Sequence, residues 1–193
     1  MPSNDRITRA RGVLIGCEIG AVAGIAWSLW GASGLAARSV AWTVVVAGLG
    51  VVIGALMLIF MAMGLHRVPA MAPAGQEEAA ASMFSSPRYR ITVMVEVTVI
   101  VAGVLVLGAI NQARYIPPFI AIIVGVHFLG FLASWRGFAL LSGALVVASV
   151  AGVIVGFAGG QPGDIAATVG IIAAVSLFCS AARAFTPSAR AIR

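Results

Sequence analysis

Six apolar stretches, separated by short polar or arginine-bearing breaks, set the pattern of this chain: residues 12–30, 40–65, 91–110, 116–135, 137–157 and 165–182. A helix rising 1.5 Å per residue needs about 20 apolar residues to cross a hydrocarbon layer about 30 Å thick, and each stretch is near that length. Hydrocarbon offers backbone amides no partners, so stretches of this kind must satisfy them internally as helices. The pattern predicts an all-α polytopic membrane protein: one integral domain over residues 1–193, a bundle of six transmembrane helices, with a long connection at 66–90.

Composition supports the pattern. Of 193 residues, 61% are hydrophobic and 9% charged, and the mean hydropathy of +1.09 lies outside the range of water-soluble domains. A net charge of +6 and a pI near 11.0 would suit a nucleic-acid binder, but the arginines sit at helix ends rather than in a patch interleaved with aromatics. They read as topology signals, with the lipid bilayer as partner and no nucleic acid. Arg6, Arg9, Arg11, Arg67, Arg88, Arg90, Arg136, Arg183, Arg190 and Arg193 fall on one side of the six-helix pattern, Arg38 and Arg114 on the other. The positive-inside rule then places both termini in the cytoplasm, as an even number of spans requires. All 12 basic residues are Arg, and Ala, Val and Gly abound, which points to a GC-rich bacterial gene and a bacterial cytoplasmic membrane.

Small residues mark close approaches between helices. Gly12, Gly16, Gly20 and Gly24 recur every fourth position, and Gly50 with Gly54 in the second stretch makes helix 2 the expected mate for that glycine face. Between helices 2 and 3, residues 76–84 read either as a short interfacial helix or as a linker. Pro117 and Pro118 fit the first turn of helix 4, and Asp164 reads as the N-cap of helix 6. The aromatics Phe119, Phe128, Phe131, Trp135 and Phe138 read as lipid-facing or belt residues. Cys17 and Cys179 both fall in apolar stretches, which excludes a disulfide framework, and Cys17 stands too close to Arg11 for a lipoprotein cleavage signal.

Three ionisable side chains interrupt the apolar stretches: Glu18, Glu96 and His127. A charged group at the centre of a spanning helix costs about 3 kcal/mol on insertion scales, so such residues face a bundle interior and mark a pathway or site. Counted from Arg11, Arg90 and Arg136, they lie about 10, 9 and 13 Å into the helices, a single layer in the cytoplasmic half. Ser176, Cys179, Ser180 and Arg183 recur at i, i+3, i+4 and i+7 and add a polar stripe at overlapping depth. Three chemistries suit this layer. A dehydrated interior favours the neutral forms of acids and imidazoles, which permits proton exchange along a relay or substrate pathway built from Glu18, Glu96, His127, Ser176, Ser180 and Arg183. The two carboxylates and the imidazole are also weak candidates for a divalent metal, although their spacing carries no metal motif, and no cofactor is expected. The third possibility is that each group fixes helix register and nothing else.

The chain carries no phosphate-binding glycine loop, metalloprotease helix motif or nucleophile elbow, so nothing in it points to an enzyme. The stretch from Ile122 to Leu129, with its Val-Gly-x-His-Phe pattern, together with Glu96 on the preceding helix, resembles small uncharacterised bacterial multi-pass membrane proteins over residues 88–136. That resemblance implies an integral membrane fold and brings no established activity. Two functional expectations follow: a proton-linked small-solute transporter or channel-like pathway, or a non-transporting scaffold or accessory subunit whose partner is another membrane protein or a second copy.

Overall fold

The computed structural model describes residues 3–64, 87–129 and 137–183, with the side chains of the first helix described from Cys17 onward. Six α-helices occupy these residues: α1 Ser3–Leu35, α2 Val40–Gly64, α3 Pro87–Ala109, α4 Ile116–Leu129, α5 Gly137–Phe157 and α6 Pro162–Arg183. A 3-10 turn, Ala113–Tyr115, leads into α4, and no strand occurs among the described residues. Four helices contain stretches long and apolar enough to cross a membrane: Val40–Met63, Tyr89–Ala109, Ala139–Phe157 and Pro162–Ala182. This marks a multi-pass membrane protein. The apolar helix Ala113–Leu129 is shorter, and the remainder of the expected fourth span, residues 130–135, lies outside the described residues. The stretch 76–84, expected as a short interfacial helix or a linker, lies outside them too, as does Arg136.

The helix ends follow local chemistry. Ser39 caps α2, its hydroxyl accepting the Trp42 amide at 3.3 Å. At the end of α3, Asn111 takes a left-handed φ of 57°, while Gln112 N–H donates to the Leu107 carbonyl and Asn111 N–H to that of Gly108. Gly159, at φ 83°, closes α5 with the same two bonds, from Gly160 to Val155 and from Gly159 to Gly156. Both are Schellman closures. Pro117 and Pro118 occupy the buried first turn of α4, as their missing donors allow. Asp164 is not an N-cap. It is the third residue of α6, and its carboxylate accepts the Gln161 amide at 2.9 Å, the returning arm of a capping box. The same carboxylate holds Arg38 of the α1–α2 turn at 2.7 Å.

The core is built on α6, which packs against α1, α5, α4 and the edge of α2. Its buried residues Ile165, Val169, Ala173, Leu177 and Phe178 join Trp27 of α1, Ala121 of α4 and Leu145 of α5 in one cluster. The glycine face of α1 meets α6 rather than α2. A methyl placed on Gly24 would lie 2.5 Å from the Phe178 ring, and one on Gly170 would lie 2.6 Å from the Gly31 backbone, so the two helices touch main chain to main chain. The Gly50 and Gly54 notches of α2 instead receive Ser28 and Ile25 from an adjacent face of α1. Spacing alone could not choose between these mates, because both offer small residues at the same interval.

At the opposite flank α3 lies antiparallel to α4, with the Phe119 ring seated where Gly103 has no side chain. Phe119 is therefore an interhelical contact and Phe128 packs against the main core, both being partly buried. Phe131, Trp135 and the side chain of Phe138 are outside the described residues.

Candidate functional site

The α3–α4 register that seats Phe119 at Gly103 brings Glu96 level with His127 two turns further along. His127 Nδ1 lies 3.1 Å from Glu96 Oε2, and the two side chains are only 8% and 15% exposed. The hydrophobic pattern of α3 explains the placement. Tyr89, Thr92, Val93, Glu96, Ile100 and Gly103 recur at three- and four-residue intervals and form the partly covered face, while Met94, Val95, Val97 and Val101 point away. In hydrocarbon an unpartnered carboxylate is costly, and a neighbouring imidazole offsets that cost by sharing a proton with it.

Two rings complete the surroundings, Tyr89, which sequence reasoning passed over, and Phe128, which it read as a lipid-facing or belt residue. The Tyr89 ring stands edge-on to the imidazole with centroids 6.4 Å apart, and the Phe128 ring stands edge-on to it at 5.6 Å. Tyr89 and Thr92 precede Glu96 by seven and four residues, so the helical spacing that placed Glu96 would also have found them. Two residues before His127, the Gly125 carbonyl of α4 accepts at 2.6 Å from the hydroxyl of Ser142 of α5, which is fully buried. Gly125 admits this approach because any side chain there would press on Leu145 and Val146. The bond pins the turn of α4 that carries His127 against α5.

Glu18 belongs to a different part of the molecule. Cys17 and Ala21 pack on Met61, near the end of the α2 apolar stretch, so Glu18 lies close to that rim, whereas Glu96 is two turns inside its own stretch. It is partly exposed, on the side of α1 that also presents Val22 and Leu29, and among the described residues it forms no hydrogen bond or ion pair. The helix carrying Glu18 packs on α6 and α2, and the helix carrying Glu96 packs on α4 and the 3-10 turn. Of the expected layer, the structure thus joins Glu96 to His127 and leaves Glu18 apart. Among the described residues no three His, Cys, Asp or Glu side chains converge as a metal site would require.

The α6 stripe is also engaged elsewhere. Ser176 donates to the Ile172 carbonyl of its own helix at 2.6 Å, Ser180 is partly covered, Cys179 is exposed, and the side chain of Arg183 lies outside the described residues. Ser28, Thr43, Thr98 and Thr168 likewise return their hydroxyls to carbonyls four residues earlier. What remains is one intramembrane acid–imidazole pair between two helices, on a multi-pass helical membrane protein. No protein-family model, curated protein or solved structure matches the chain.

Proposed function

We propose that the chain is a six-span protein of the bacterial cytoplasmic membrane with both termini inside, and that Glu96 and His127 exchange protons in a proton-linked pathway for a small solute. One observation carries the reading: a carboxylate and an imidazole from neighbouring helices meet at 3.1 Å, two turns inside an apolar stretch. A pair that can hold zero, one or two protons while shielded from water is the unit a proton-coupled cycle needs. The six-span count adds α1 and α4 to the four long apolar helices, and the arginine asymmetry sets the orientation.

The test is proton uptake into liposomes containing the purified protein, with Glu96→Gln and His127→Ala beside the parent and empty vesicles. Glu96→Gln keeps shape and hydrogen bonding but removes the titratable charge, so flux should disappear while the melting curve stays close to that of the parent. A parent that moves no protons under any imposed gradient removes the reading.

A second reading has its own support. The serine and threonine hydroxyls that bond back to their own helices, and the glycine-lined contact of α1 with α6, suit a scaffold or accessory subunit that binds another membrane protein or a second copy. Under it Glu96→Gln is silent in every assay except that of the partner.

A further inference from the structure

The acid and the imidazole belong to two unequally held bodies. His127 sits on α4, which is packed against α5 and α6, pinned by the Ser142–Gly125 bond, and has Ala121 in the main core. Glu96 sits on α3, whose substantial contacts are with α4 and the 3-10 turn alone. No residue of its apolar stretch is fully buried, against 17% of those in α2, 39% in α5 and 56% in α6. Contacts that hold α3 to α4 include the Phe119 ring in the Gly103 notch toward one end and, toward the other, the Glu96–His127 pair with the Tyr89 ring against the same imidazole. Between α3 and α4 runs a short connection through Asn111 and the 3-10 turn, a place where a rigid helix can pivot.

From this arrangement we infer that Glu96 and His127 form a proton-controlled latch, and that α3 swings away from α4 about the Asn111 connection when the pair takes up a second proton. With one shared proton the pair is neutral overall and its halves attract. With two, a neutral carboxylic acid faces an imidazolium, the attraction is lost, and a net charge is left in a low-dielectric site that opening would hydrate. Among the described residues, Tyr89 is the other titratable side chain set against the pair, and it comes from α3 itself; Arg90 of α3 is exposed, and Arg114 and Tyr115 of the 3-10 turn stand about three turns away along α4. The described side chains of α5 carry no titratable group, and those of α6 are Asp164 at the far end and the exposed Cys179. Because α3 packs on little besides α4 and the 3-10 turn, a change of charge at the pair shifts its position. The inference rests on reading the pair as a proton-exchanging site, and it adds the movement that exchange would drive.

Met94 on α3 and Leu140 on α5 are both exposed and lie near the level of the pair, which makes them suitable label sites. Spin labels there, in a background with Cys17 and Cys179 replaced by serine, report the α3–α5 distance in lipid nanodiscs by pulsed electron resonance. A second label pair, at Val147 on α5 and Val175 on α6, reports the better-packed body. In the parent, lowering the pH from 8 to 5 should add a longer-distance population to the Met94–Leu140 pair and leave the Val147–Val175 distance unchanged. His127→Ala should show the longer population at every pH, with an unchanged Val147–Val175 distance proving that the bundle is intact. One narrow Met94–Leu140 distance across the pH range, or an unaltered distribution in His127→Ala, overturns the latch. Proton flux is scored separately: flux with a fixed α3 retires the latch and keeps the pathway, whereas a responsive α3 without flux retires the pathway and keeps the latch.

Discussion

Adding one methyl group at Gly170 should cost the protein more than the same change at any glycine on its surface, although alanine is the better helix former. A Cβ at Gly170 would lie 2.6 Å from both the N and the Cα of Gly31 and 2.7 Å from the Trp27 carbonyl, all backbone atoms that no rotamer change can move. Across the same crossing, a Cβ at Gly31 would meet Ile171 N at 3.1 Å and Gly170 at 3.2 Å, a squeeze that small shifts can absorb. At Gly48 and Gly143 nothing lies within 4 Å. Replacing glycine by alanine inside a helix gains about 1 kcal/mol, and overpacking a tight contact costs about 1–3 kcal/mol. The balance makes Gly48→Ala and Gly143→Ala neutral to about 1 kcal/mol stabilising, Gly31→Ala near zero, and Gly170→Ala destabilising by up to about 2 kcal/mol. The four variants should therefore rank in that order by midpoint in detergent-titrated unfolding followed by circular dichroism. A Gly170→Ala variant as stable as Gly48→Ala would refute the main-chain contact between α1 and α6.

Ser142→Ala should lower stability by about 1 kcal/mol in the same assay, since it removes one buried interhelical hydrogen bond and leaves the Gly125 carbonyl its helical partner; an unchanged midpoint would mean the α4–α5 pin contributes nothing. Gly159→Ala should cost about 1–2 kcal/mol despite open space around it, because its φ of 83° penalises any Cβ, and a neutral result would show that α5 ends differently. Membrane-impermeant thiol labelling of cysteines introduced at Ser33 and Gln161 should mark both as external and one at Glu77 as internal; the reverse pattern would invert the proposed topology.

The sequence by itself determined the helices and their surroundings. Apolar runs of bilayer length can satisfy their amides in one way, so residues 40–65, 91–110, 137–157 and 165–182 differ from the observed helices by only a few residues at their ends. The turns were legible for the same local reason, although three residues of offset moved Asp164 from cap to capping-box partner across a proline that must itself stand at the first helical position. Partner choice was not legible. Gly20 and Gly24 announce a close contact, but every helix of small residues answers that description, and only the fold gives them to α6 and leaves Gly50 and Gly54 to Ser28 and Ile25. The acids show the same division. Depth along a helix is arithmetic, and it placed Glu18, Glu96 and His127 at a common level; rotation and adjacency are tertiary, and they set Glu96 against His127 while leaving Glu18 near the rim on a helix packed elsewhere. In an almost uniformly apolar chain a stripe at helical spacing does not say which neighbour it faces, because lipid and protein interior look alike to the residues that must choose between them.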